Sequence, residues 1–382
     1  MNEQSAIRNP QSAINVGAIE RELTSLWQQA SEDEHGGIMR ASTLNLLVFV
    51  TSKTDAARLD DTLTEITASH PSRAILIIAD RQSQEPALTA QVTSRCTLPT
   101  ATSKQVCCEQ VTIDATGSQV AEVPSAVAPL LVSDMPVYLW WRTVPRITDK
   151  VTFRRLADLS DRVIIDSADF NDPQADVASM ATVLRETPRW TAISDLNWAR
   201  LTAWRALLSG FYDISEYRPL LDALNHIVIE SSPAKADTDG LSPRALLLGG
   251  WLASRLRWRL ERGSVSRGVE SSVFEFEKDN RKVVLEFAPT EREIEPGRIA
   301  MVTMKSAADE SASFSVRRSS DAQRIETVVA RGEERIAQRV LSYESLSESE
   351  LIGRELEILG HDRVYEQAVI AAGEMVRAVS SQ

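Results

Sequence analysis

From residue 44 onward, near-continuous apolar runs alternate with stretches whose apolar positions recur every three to four residues. The runs at 44–50, 74–80 and 137–141 predict strands covered on both faces, which favours a mostly parallel sheet. Helical spacing appears over 16–30, through Val16, Ile19, Leu23, Leu26 and Trp27, and again from about 54, through Leu59, Leu63 and Ile66. Further helices are predicted at 119–132, broken by Pro124 and Pro129, at 150–157 and at 172–186. Strands at 105–111 and 161–166 complete the alternation, the outline of a doubly wound domain. Residues 1–15 read as a loose arm, and 81–104 as loop or edge structure.

The second half is patterned differently. Ser194 suits a helix N-cap, with Leu201, Trp204, Leu207, Leu208 and Phe211 along one face and Trp198 at its border. A strand at 225–230 precedes a helix opened by Pro243. Leu248, Leu252, Leu256 and Leu260 form its core stripe, and Trp251, Arg255 and Trp258 an adjoining one on which Arg255 would stack between two indoles. From 271 the period is two. A hairpin at 273–277 and 282–287 leads into an antiparallel meander near 298–304, 312–317 and 324–329. Ser347 and Glu350 make a capping box for a helix that stops at Gly360, and a last helix starts at His361-Asp362. The fold class expected is α/β: an N-terminal doubly wound, parallel-rich sheet domain followed by an α+β portion with an antiparallel sheet. The expected division is 1–36 for arm and first helix, 37–170 for the α/β domain and 171–382 for the α+β domain.

Composition narrows the function. The net charge of −12 argues against nucleic acid or an anionic membrane as the main partner, and no apolar run reaches membrane-spanning length. The polar N-terminus lacks a signal-peptide layout, so the expected location is cytoplasmic. Cys96, Cys107 and Cys108 are too few for a disulfide framework and lack zinc-site spacing. On a strand the adjacent Cys107 and Cys108 point to opposite faces, one inward and one outward, so no functional disulfide is expected.

Phosphate loops, dinucleotide turns, nucleophile elbows and metalloprotease helices are missing, and the four histidines lie far apart. The expectation is a protein that is not an enzyme, with no metal and no cofactor. What stands out is tryptophan placement: of eight, all but Trp27 fall in three segments that also carry arginine. The first ends in Trp140, Trp141 and Arg142, at the carboxyl edge of the strand around which the first domain is organised. The second holds Trp190, Trp198, Arg200 and Trp204, and the third Trp251, Arg255 and Trp258. These residues either pack a Trp-rich core or form an aromatic/Arg surface for a protein partner or an anionic sugar. The candidate partner-binding set is Trp140, Trp141, Arg142, Trp198, Arg200, Trp251, Arg255 and Trp258.

The same segments carry a resemblance. Arg40-Ala41-Ser42-Thr43-Leu44-Asn45-Leu46, His70-Pro71-Ser72-Arg73, the 135–142 strand, Ser194-Asp195-Leu196-Asn197-Trp198-Ala199-Arg200-Leu201 and Trp251-Leu252-Ala253-Ser254-Arg255-Leu256 occur in order. Together they resemble the OpcA family, the glucose-6-phosphate dehydrogenase assembly proteins. The resemblance implies a non-catalytic assembly factor and allosteric activator that binds glucose-6-phosphate dehydrogenase and promotes its active oligomer in the oxidative pentose phosphate pathway. In cyanobacterial members activation is linked to thioredoxin through cysteines, and the second half of this chain contains none. The competing class is a phosphosugar-binding enzyme or sensor, with Arg142, Arg200 and Arg255 as phosphate ligands.

Overall fold

A computed structural model describes residues 5–7, 15–33, 38–97, 105–143, 149–186, 191–234, 241–264, 271–319 and 323–380. The chain forms two compact units. The first comprises 1–166, 188–194 and 347–361; the second comprises 167–187, 195–346 and 362–382.

The first unit is built on the apolar runs. Leu44–Val50 and Val137–Trp141 are buried at every position, and Ser72–Asp80 at all but its last. They pair in parallel, with Leu44–Val50 between the other two. Gln105–Thr116 and Arg162–Ile165 extend the parallel core on either side, and Ala192–Asp195 follows Arg162–Ile165. Taken in chain order, these six strands lie third, second, first, fourth, fifth, sixth across the sheet. That is the doubly wound dinucleotide-fold order, whose switch point falls between Leu44–Val50 and Val137–Trp141. Asn45 is the polar exception inside the first strand. Its amide is satisfied by the backbone of Val132, donating to the carbonyl at 3.0 Å and accepting from the N–H at 2.8 Å.

Several expectations need correction here. Part of the loose arm, Ser5–Ile7, is an edge strand antiparallel to Ala87–Thr97, itself antiparallel to Gln105–Thr116. Within that second pairing Cys96 stands directly opposite Cys107, and the two are joined by a disulfide. The expectation of no functional disulfide compared adjacent residues on one strand and so did not foresee this bond. The partner sits across the ladder, where facing residues come close enough to bridge. Nor does either of the adjacent cysteines face outward. Cys107 and Cys108 are both buried, since the sheet is covered on both faces. Burial pushes the Cys108 thiol up from its ordinary value.

The second unit carries an eight-stranded sheet, mostly antiparallel, with helices Pro243–Leu256 and Arg363–Ser380 packed together beside it. It is not a simple meander. Leu224–Ser231 inserts between Arg281–Pro289, to which it runs parallel, and Ile299–Ser306. Both outermost strands, Arg259–Ser264 and Glu334–Ser342, escaped the sequence reading because they are largely exposed and lack apolar alternation. The helix from Pro243 stops at Leu256. Arg257 adopts a left-handed conformation at φ 58, and the Trp258 N–H closes on the Ala253 carbonyl at 2.9 Å. Trp258 and Leu260 are therefore not on that helix. Gly250 marks its closest approach to the last helix: a Cβ there would lie 2.1 Å from the Ala368 carbonyl oxygen. The capping box at Ser347 and Glu350 forms as expected, although its helix ends at Leu356, before Gly360.

Candidate partner-binding residues

At the switch point the two tryptophans separate to opposite faces, as strand geometry requires. Trp141 faces the same way as its directly opposed neighbour Phe49, and their rings stack at 3.8 Å. Phe153 closes the cluster edge-on at 4.9 Å. Arg142 lies two residues from Trp140, on the same face, with its guanidinium 5.0 Å from that ring. Its charge is met inside the unit by Glu348, first residue of the capped helix, at 2.6 Å. Arg142 thus already has a counter-charge. Trp140 and Trp141 are buried and Arg142 half-buried.

The first strand–helix turn, where a dinucleotide fold keeps its glycines, reads Val50-Thr51-Ser52-Lys53. Ser52 accepts from the Asp55 N–H at 3.1 Å and donates to the Asp55 carboxylate at 2.7 Å, spending its hydroxyl on the cap of its own helix. Lys53 pairs with Asp114 at 2.6 Å. Asp80, at the end of the second strand, accepts from the backbone of Gln82 at 2.9 Å.

In the second unit the 195–201 segment folds around one carboxylate. Asp195, not Ser194, is the N-cap; Ser194 lies on the strand Ala192–Asp195. Asp195 Oδ1 accepts from the backbone of Ser167 at 3.0 Å and of Asn197 at 2.9 Å. Asn197, fully buried, donates to Ser167 Oγ at 3.0 Å, and its Oδ1 accepts from Arg200 at 3.2 Å and from Arg244 at 2.8 Å. Trp198 donates its indole N–H to Asp362 at 2.7 Å, and the Arg205 guanidinium lies 3.4 Å over its ring. The helix breaks at Leu201 into Leu196–Arg200 and Thr202–Gly210, turning Trp198 into the interior.

The expected Trp251–Arg255–Trp258 stripe does not form. Trp258 lies past the helix cap, buried, 5.8 Å from Phe276. Among the described residues Arg255 stacks on neither indole. It is exposed, and Trp251, four residues earlier on the same helix, is half-buried. Of the eight candidates, four tryptophans are interior, Arg142 is ion-paired within its unit and Arg200 has an internal acceptor; Trp251 and Arg255 remain toward solvent. The side chains of Trp27 and Trp190 lie outside the described residues. Glu348, Asp362, Arg244 and Arg205 complete these clusters unforeseen. Two had a local signal in the sequence: Asp362 as the start of the last helix, where it accepts from the Val364 and Tyr365 N–H groups, and Glu348 as the residue that follows the capping Ser347.

The architecture defines an α/β protein with a dinucleotide-fold sheet that lacks a phosphate-binding turn, joined to a unit with a mixed open sheet. Two family models match the chain, both described as domains of a "Glucose-6-phosphate dehydrogenase subunit": the N-terminal domain over 63–182 and the C-terminal domain over 191–369. The chain belongs to this family, OpcA. Relatives named "Putative OxPP cycle protein OpcA" occur in Synechocystis sp. and Nostoc punctiforme. The first is 28% identical over 76% of this chain and 58% of its own length. The second is 28% identical over 71% and 55%. The match therefore spans little more than half of these relatives. Among solved structures, the transcriptional regulator Gal80p of a Kluyveromyces yeast is similar at TM-score 0.45 and 11% identity, covering 94% of this chain and 95% of that one. The WlbA dehydrogenase of Thermus thermophilus is similar at TM-score 0.43 and 10% identity, covering 87% and 94%. Among the described residues no helix is long and apolar enough to cross a membrane.

Proposed function

We propose that the chain is a cytoplasmic, non-catalytic partner of glucose-6-phosphate dehydrogenase, acting in the oxidative pentose phosphate pathway to promote the active oligomer of that enzyme. Family membership and the names of the relatives support the pathway and the partner. The observation that carries the non-catalytic reading is the switch point. The strand order of a dinucleotide fold is present, while Ser52 caps its own helix and Arg142 is neutralised by Glu348. A phosphosugar site would need those groups free for an anion. In this reading the contact with the dehydrogenase includes Trp251 and Arg255; Trp198, Arg200 and Trp258 pack within the same unit, and Trp140, Trp141 and Arg142 within the other.

The test is a titration of the purified chain against the cognate dehydrogenase, reading enzyme activity and co-elution on a sizing column. The expected result is a shared peak, altered dehydrogenase activity, and no conversion of sugar phosphate by the chain alone. Turnover by the chain alone, or separate elution with unchanged activity, refutes the reading.

A further inference from the structure

Beside the left-handed Arg257 lies an open pocket of about 630 Å³, between the start of strand Arg259–Ser264 and the last turns of helix Arg363–Ser380. It belongs wholly to the second unit, and its volume is that of a small-molecule site. Trp258 and Leu260 supply apolar lining, and Arg257, Arg259, Arg377 and Glu374 supply charge. Among these described residues three guanidiniums stand against one carboxylate, the reverse of the chain as a whole, whose net charge is −12. That carboxylate is already engaged, since Glu374 pairs with Arg185. Arg377 is fixed at the wall by donating to the Ala178 carbonyl at 3.2 Å and to Thr182 Oγ1 at 3.1 Å. Burial first, and then the charge of Arg185, hold the Arg377 pKa below the ordinary arginine value, with Glu374 opposing. Arg259 is met by Glu277 at 2.6 Å and by Glu261 at 3.1 Å. Arg257 is different. It is exposed, and among the described residues it makes no ion pair. Its backbone, at φ 58 and ψ 42, occupies a cap position that glycine fills at lower cost. The position thus carries a free guanidinium where the backbone alone favours glycine.

We infer that this pocket binds a small organic phosphate, a phosphomonoester whose dianion takes the free guanidinium of Arg257 in the field of Arg259 and Arg377, with its organic body against Trp258 and Leu260. The ligand class follows from the lining. An excess of arginine charge calls for an anion, and a planar guanidinium fork matches phosphate oxygens in pairs. A phosphomonoester carries close to two negative charges at neutral pH, where a carboxylate carries one. The apolar wall beside the arginines gives an ester a place for its organic part, which inorganic phosphate lacks. The inference does not depend on the dehydrogenase reading.

The test is calorimetric titration of the full chain with phenyl phosphate, compared with benzoate and inorganic phosphate. Phenyl phosphate is expected to bind with a Kd of roughly 1 mM or tighter, and both comparison anions more weakly. Its affinity should fall as salt is raised, because the arginine is exposed. Arg257→Gly removes the guanidinium and relieves the left-handed backbone at once. Phenyl phosphate should then bind about tenfold or more weakly, while the melting temperature stays unchanged or rises. An arginine that merely supports the fold would lower melting instead. Arg262→Gln removes one positive charge further along the same strand, where the side chain faces Glu275 outside the pocket, and should change binding by no more than about twofold. No binding of phenyl phosphate, or either comparison anion binding as tightly, overturns the inference. So does an equal loss in Arg257→Gly and Arg262→Gln, which would mean diffuse charge without a site. A chain indifferent to phenyl phosphate whose Arg257→Gly variant loses the dehydrogenase overturns it too, and would give the pocket to an acidic segment of that protein.

Discussion

The guanidinium of Arg162 donates to the carbonyl oxygens of Ile358 and Gly360, almost two hundred residues further along the chain. It also lies 3.5 Å from the Glu355 carboxylate, and both side chains are nearly inaccessible. One buried arginine on a sheet strand thus pins the returning helix and its turn, leaving Leu359 79% exposed. Removing one member of a buried ion pair leaves the other charge uncompensated, at about 3–5 kcal/mol. Arg162→Met should lower stability by that amount in urea denaturation. Adding Glu355→Leu should restore a large part of it. A loss no greater with Glu355 present than with it replaced would show that the pair is not the reason.

Arg255 and Trp258 should behave oppositely. Arg255→Ala removes an exposed side chain and should change stability by no more than about 0.5 kcal/mol. If it anchors the dehydrogenase contact, association weakens roughly thirtyfold, equivalent to about 2 kcal/mol. Trp258→Ala empties a buried site against Phe276 and should cost about 3–5 kcal/mol of folding stability. Paired melting and binding measurements separate the two.

Gly250→Ala should be among the most damaging single-methyl changes in the chain. The added carbon would meet backbone at 2.1 Å, and two packed helices must part to admit it. Overpacking of this kind costs about 1–3 kcal/mol or more. Gly210→Ala, with open space around its Cβ, is the control and should be neutral or stabilising. Equal melting temperatures for the two variants would contradict the packing described.

Thiol counting checks the cysteine arrangement. Native protein should react slowly or not at all with an alkylating reagent, because Cys108 is buried and burial raises its thiol pKa. One thiol should appear on unfolding without reductant, and three after reduction. Three thiols before reduction would exclude the Cys96–Cys107 bond.

Hydrogen bonds from Arg262, then from Lys282, hold the Glu275 carboxyl down at about 2. A depressed carboxylate adds stability that is complete above its unfolded value near 4.5 and is lost as pH falls through the folded value. Acid titration of Glu275→Gln should therefore show a shallower fall of stability between about pH 4.5 and 2 than the parent chain. Parallel curves would deny the carboxylate this role.

Apolar pattern along the chain determined the buried parallel strands, because a strand covered on both faces must be apolar at nearly every position, as Leu44–Val50 and Val137–Trp141 are. The capping box at Ser347 was legible for a similarly local reason: both partners lie within one turn. The family was legible too, since the matching segments are contiguous. Pairing across the chain was decided elsewhere. Cys96 opposite Cys107, Glu348 against Arg142 and Asp362 under Trp198 depend on strand register and on segments returning from far along the chain. The two outermost strands of the second sheet were hidden because exposed strands need no apolar alternation. Which of the clustered tryptophans and arginines face water was likewise a tertiary matter. A left-handed residue at Arg257 and a break at Leu201 re-aimed Trp258 and Trp198 into the interior, against the helical period of the sequence.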